Sequence, residues 1–258
     1  MAARAIVFAA AQHGVSPPDL CARVGLDASL IADPDARVPV SVMLRLWKEG
    51  ATLDPDFGLH LAEMSVAAQP ALPWHLVRAS STLAEGILRL VAAWRVFNDL
   101  HPPELVFPDV DDPSSHGVLR MRTKNTPYPV PRHAAEYAFA WFVIASQRAT
   151  GIDVRPVHMT FEHSRPESIK EHERIFGCEI DFDADATGIV YSRTALELPT
   201  KEADPDLVPA DRAQARSQRL EGRDAAGLGH DQVARMHEAR HRFDRLMALD
   251  LQPTVALC

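Results

Sequence analysis

Leu83, Ile87, Leu90, Val91, Trp94 and Phe97 recur at helical spacing, with Glu85 and Arg89 on the opposite side. That is the stripe of an amphipathic helix with one buried face. Thr82 and Glu85 mark its start. The hydroxyl can accept from the backbone N–H three residues on, while the carboxylate reaches back to the cap N–H. Upstream, residues 2–13 form an amphipathic run that stops at Gly14. Ser16-Pro17-Pro18-Asp19 has the chemistry of a cap with proline in the first turn, opening a short helix that closes at Gly25. Asp33-Pro34-Asp35 reads as a turn. Val40, Met43, Leu44, Leu46 and Trp47 then predict a helix over 40–53, and Asp54-Pro55-Asp56 opens another over 57–64.

After Phe97 the texture changes. Residues 105–107 and 117–122 are short apolar or alternating runs separated by the polar stretch 109–115, a hairpin-like pair of strands. Pro131 begins a helix over 132–150 whose middle, 137–145, is apolar nearly all round, so it belongs at the centre of a domain. Residues 155–162 alternate as a strand does, 167–176 form a charged helix stopped by Gly177, and 188–191 read as a last strand. The expected fold is α+β: a helical N-terminal part followed by a small mixed sheet with a central buried helix. Two regions follow, a folded domain over 1–207 and a polar tail over 208–258. The tail has one aromatic residue, Phe243, and a thin apolar face over 232–249, which predicts a weakly packed helical segment.

Composition narrows the classes. Of 258 residues, 47% are hydrophobic and 24% charged, ordinary for a soluble globular protein. The net charge of −8 argues against a generic phosphate-binding surface. Cys21, Cys178 and Cys258 are odd in number and far apart, so they are no disulfide framework, and a reducing cytoplasm is the expected setting. The apolar runs, including 1–11 and 138–145, are far too short to cross a bilayer.

The sharpest literal motif lies in the tail. His237-Glu238-Ala239-Arg240-His241 is H-E-x-x-H, which on a helix places two zinc-binding histidines on one face with Glu238 as general base. It defines the alternative reading, a zinc-dependent hydrolase. Against it, only Asp244 and Asp250 could supply a third ligand, Arg240 sets a cation beside the ion, and apolar packing is thin. No G-x-S-x-G, phosphate loop, G-x-G-x-x-G or C-x-x-C occurs. The main expectation is therefore a non-enzyme with no catalytic residues, metal or cofactor. His158 and Glu162 share one strand face and read as hydrogen-bonded strand residues. Trp74, His75 and Arg78 before the capping box, with Tyr128, His133 and Tyr137 around the start of the central helix, are the candidate lining of a small-molecule pocket.

Several segments together resemble a known family. Asp33-Pro34-Asp35-Ala36-Arg37-Val38-Pro39 precedes a Trp-bearing helix, and Asp54 to Ala62 reads D-P-D-F-G-L-H-L-A. Next come Ser80-Ser81-Thr82-Leu83-Ala84-Glu85, then V-H-M-T-F-E-H-S-R-P over 157–166 and Phe176-Gly177-Cys178 with Asp181-Phe182. Finally comes L-E-L-P-T-K-E-A-D over 196–204 with Leu207. In this order, over about 3–207, they resemble the arabinose-binding-type sensor domain of AraC-family transcriptional regulators. The resemblance implies a domain that senses a small effector and dimerises, with no catalytic residues to carry over. It also implies that two helix-turn-helix units should follow. The residues from Pro209 on show neither the turn–recognition-helix pattern nor an R-x-L-x-R-x-L wording, and their composition fits a frameshifted or degenerate C-terminus. The expectation is a cytoplasmic sensor lacking its own DNA-binding half, acting as a homodimer or as a heterodimer with full-length relatives, without direct DNA binding.

Overall fold

Local capping chemistry sets the helical first half. The computed structural model describes residues 2–31, 33, 36–68, 72–98, 101–107, 116–123, 126–203 and 254–256. Helix α1 (Ala2–Gln12) buries Ala3, Ile6, Val7, Ala9 and Ala10. In α2 (Pro17–Val24) the Ser16 hydroxyl accepts from the Asp19 N–H at 3.3 Å, Pro17 occupies the first turn, and Gly25 closes the helix in the left-handed region at φ 68°. A 3-10 turn (Ala28–Ile31) and the strand β1 (Arg37–Pro39) lead into α3 (Val40–Leu53). Helices α4 (Phe57–Ala68) and α5 (Leu72–Arg78) follow.

Helix α6 (Leu83–Ala92) starts at the capping box read from the sequence. Thr82 accepts from the Glu85 N–H at 3.3 Å, but the Glu85 carboxylate reaches one residue further back, to the Ser81 N–H at 2.8 Å, while its other oxygen takes Arg89 at 2.8 Å. The Leu83 N–H also bonds the Leu198 carbonyl at 3.0 Å, and the Thr200 hydroxyl donates to the Ser80 carbonyl. The start of α6 is thus fastened to the end of the domain. The helical stripe does not run unbroken to Phe97. At Ala93 (φ −84°, ψ 0°) the backbone leaves helical pitch, and α7 (Trp94–Phe97) is a separate turn.

The second half is a five-stranded mixed sheet wrapped on one long helix. Its strands are β2 (Glu104–Val106), β3 (His116–Met121), β4 (His158–Thr160), β5 (Glu179–Asp181) and β6 (Thr187–Ser192), in the order β2-β3-β6-β4-β5. All neighbours are antiparallel except β4 and β5. Strand β3 alternates outward and buried residues along its length, the signature of a sheet with one face on the core. Helix α8 (Arg132–Thr150) lies against the sheet and packs most extensively on α4. Gly58 makes that packing possible, because a Cβ there would sit 2.1 Å from the His133 carbonyl oxygen. Helices α9 (Lys170–Phe176) and α10 (Arg193–Leu196) complete this half. Strand β7 (Thr254–Ala256) pairs antiparallel with β1.

The α+β class and the buried central helix agree with the sequence reading. The strand expected over 155–162 shortens to β4, since only three of its residues pair in register. Helix α5 and strands β1 and β5 were not anticipated. The expected boundary at 207/208, the helix over 232–249 and the histidines of the H-E-x-x-H segment, His237 and His241, lie outside the described residues. Among those described, no helix is long and apolar enough to cross a membrane.

Candidate functional site

One cleft brings together Trp47 and Trp94 from the first half and Tyr128 and Tyr137 from the second. Val40, Met43, Leu44 and Trp47 line it from α3, the i, i+3, i+4, i+7 stripe of a single helix face. Opposite them α8 presents Ala134, Tyr137 and Ala138, while α7 adds Trp94 and the end of β3 adds Met121. Trp47 packs its ring 5.6 Å from that of Tyr137, and Phe57 meets Trp47 edge-on at 6.4 Å. The Tyr137 hydroxyl faces Ser65, and burial pushes its pKa up. The cavity volume is about 160 Å³.

Two loops close one end of the cleft, with Asn98 and His101 on one and residues 128–131 on the other. His101 adopts a left-handed backbone at φ 44°, which a non-glycine side chain enters only where its surroundings hold it. Its Nε2–H donates to the Tyr128 carbonyl at 2.6 Å. Thr123 anchors the second loop. Its hydroxyl accepts from the Val130 N–H at 3.2 Å and donates to Glu162 at 2.7 Å, and Glu162 also accepts the Thr123 N–H at 2.8 Å.

On another side of α8 sits a buried charge cluster. Glu136 has no exposed side-chain surface; its Oε1 accepts from Arg132 Nε and His172 Nε2, both at 2.7 Å, and lies 3.7 Å from His163 Nε2. His133 Nδ1 is 3.1 Å from Oε2. Burial alone would raise the Glu136 pKa, but hydrogen bonds from His133, His172 and Arg132 outweigh it and hold the carboxyl at about 2. His163, against the Phe161 ring at 4.7 Å, is lowered chiefly by burial. Among the described residues no group of acidic, histidine or cysteine side chains is arranged to hold a metal ion. With Arg132 in direct contact, Glu136 ties α8 to α9 and to the start of α4.

Of the six residues named from the sequence, Tyr128 and Tyr137 come together in the cleft. Trp74 is buried on α5 beneath the Arg148 guanidinium at 5.4 Å. On the same helix Arg78 Nε donates to His75 Nδ1 at 3.1 Å, and Arg78 pairs with Glu202. His133 belongs to the Glu136 cluster. None of these four lines the cleft. His158 and Glu162 do not pair with one another: His158 bonds Asp181 at 3.0 Å, and Glu162 holds Thr123. The α3 stripe was legible as a buried face but not as a pocket wall, and the Glu136 cluster was not read at all.

No curated protein sequence matches the chain. Among solved structures it is similar to the crystal structure of the transcriptional regulator CdpR from Pseudomonas aeruginosa, at 14% identity and a TM-score of 0.41. The match covers 72% of this chain and 56% of that one, so this chain spans little more than half the length of that regulator. Residues 14–200 match the family described as the arabinose-binding domain of AraC transcription regulator, N-terminal. From that match over most of its length, the chain belongs to the family of AraC-type sensor domains.

Proposed function

We propose that this chain senses a small-molecule effector through the cleft between α3, α7 and α8, and that it self-associates. The observation that carries this reading is the convergence of Trp47, Trp94, Tyr128 and Tyr137 on one partly enclosed cavity, the kind of concave aromatic lining that binds small molecules. Of the six residues expected at the site, the proposal rests on Tyr128 and Tyr137. Ligand in the cleft would favour one arrangement of a homodimer, or of a heterodimer with a full-length relative, and so shift a population that a transcriptional output reads. A cytoplasmic setting fits that role. The hydrolase alternative rests on His237 and His241, beyond the family match, and nothing else supports it.

The test is a thermal-shift screen against a metabolite panel, paired with sedimentation of the protein with and without each hit. A ligand present at a hundredfold excess over its Kd adds about 3 kcal/mol of stability. The expected hit loses that effect in Ala138→Leu, which narrows the cleft, and changes the monomer–dimer ratio. Hits indifferent to Ala138→Leu, or a protein monomeric at every concentration, would sink the corresponding half of the proposal.

A further inference from the structure

Resting on that sensor reading, we infer that the ligand of the α3–α8 cleft is a neutral, ring-sized, largely apolar molecule with a hydrogen-bonding group at one end, and is neither a sugar nor an anion. Three features of the lining carry this. The first is charge. No Arg, Lys, Asp or Glu is found among the described residues that line the cleft, although the chain as a whole is 24% charged. A carboxylate or ammonium entering there would shed its hydration and meet no counter-charge among these residues, which disfavours it.

The second feature is where the polar groups lie. The α3 and α8 walls offer hydrocarbon and ring surface. Pro129 and Pro131 contribute no backbone N–H donor to this wall. The Tyr137 hydroxyl is turned to Ser65, so the wall at that residue is a ring face. Among the described lining residues, the polar side chains other than the rings of Trp47, Trp94 and Tyr137 are Asn98, His101 and Tyr128, and the His101–Tyr128 bond holds the two loops together. A pentose carries hydroxyls around its whole ring, and most would be buried unpaired against α3 and α8, whereas a single hydroxyl or carbonyl group can be met at the loop end.

Size is the third. A cavity of about 160 Å³ is close to the roughly 150 Å³ of an engineered apolar cavity that stays dry and takes up benzene. Flat rings also suit a lining that includes Trp47 and Trp94, since aromatic pairs favour offset or edge-on stacking.

Phenol, benzoate and L-arabinose separate these terms, since the first two share a ring and differ in charge while the third is neutral and polyhydroxylated. Each is titrated into the full chain at neutral pH, following tryptophan fluorescence and the melting temperature. The expected result is saturable binding of phenol, with benzoate and L-arabinose weaker by about tenfold or more. Binding of phenol should be lost in both Ala138→Leu and Ala134→Leu, with circular dichroism confirming that at least one of the two folds. If L-arabinose or benzoate binds as tightly as phenol and Ala138→Leu abolishes it, the ligand class is overturned while the cleft remains the sensor site. If phenol binds equally well to both variants, its placement in this cleft is overturned. Binding of none of the three also overturns the ligand class, and a panel metabolite lost in Ala138→Leu would then still uphold the sensor reading.

Discussion

The Glu136 carboxylate and the His172 ring meet 2.7 Å apart between α8 and α9, with neither side chain exposed to solvent. A buried carboxylate is strongly disfavoured unless it is paired, and here Arg132 and His133 complete the pairing. Truncating one member strands the others, so the cluster is sensitive out of proportion to its size.

Glu136→Gln keeps the shape and removes the charge. The expected loss is about 3–5 kcal/mol in urea unfolding at neutral pH, the usual cost of breaking a buried ion pair from one side. Because the folded carboxyl titrates at about 2 against an ordinary 4.5, its stabilisation is fully present above about pH 4.5. It is lost as the pH falls toward 2, a contribution of about 3 kcal/mol. Wild type should therefore lose stability steeply in that window, and Glu136→Gln should show a shallower slope there. Equal slopes would mean that the carboxyl is not held down by its partners.

A second pH dependence has the opposite sign. His60 on α4 lies 2.5 Å from Asp54 and 3.3 Å from Glu171, which also pairs with Arg174. Burial lowers the His60 pKa, but the hydrogen bonds and charges of the two carboxylates outweigh it and raise it above the ordinary 6.5. Stability from this contact is complete below the unfolded pKa and fades as the pH rises through the raised folded one. Urea midpoints should fall in wild type as the pH rises above the ordinary 6.5 and change less in His60→Gln. A His60→Gln profile that parallels wild type would remove His60 as the cause.

Gly58→Ala pits helix propensity against packing. Alanine is favoured over glycine in a helix by at most about 1 kcal/mol, less in the first turn where Gly58 sits, and its Cβ would come 2.1 Å from the His133 carbonyl oxygen, a backbone atom that cannot swing aside. Helices α4 and α8 must part, and overpacking of this kind costs about 1–3 kcal/mol or more. The net expectation is destabilisation by about 2 kcal/mol in thermal melts, together with weaker His133–Glu136 contact. A stabilised variant would show that the two helices are less tightly apposed.

What could be read from the sequence follows from how local each signal is. The α3 stripe at 40, 43, 44 and 47 and the Thr82 cap are written in adjacent turns, and both hold in the structure. Strand β5 has three residues and α5 seven, so neither is long enough to leave a periodicity to find. The Glu136 cluster draws His133, His163 and His172 from separate segments, a convergence that only tertiary packing creates. One hint was available: Glu136 stands at the edge of a run that is apolar on every side, and such a carboxylate must find cations. The cleft was half legible for the same reason. Tyr128 and Tyr137 flank one helix start, whereas Trp47 and Trp94 reach them from distant elements.

His101 offers a test of the loop that closes the cleft. Its φ of 44° strains a residue with a Cβ, while its ring holds the Tyr128 carbonyl at 2.6 Å. His101→Ala keeps the strain and loses the bond, for an expected loss of about 1 kcal/mol. His101→Gly loses the same bond but relieves a left-handed backbone by about 1 kcal/mol, leaving stability near wild type. The two variants thus separate strain from hydrogen bonding. Their order in thermal melts should be wild type and glycine together, with alanine below. Alanine equal to glycine would show that the backbone at His101 is not under strain. Phenol titration adds a second reading, because both variants release the loop from Tyr128 and should bind more weakly than wild type even where glycine restores the melt.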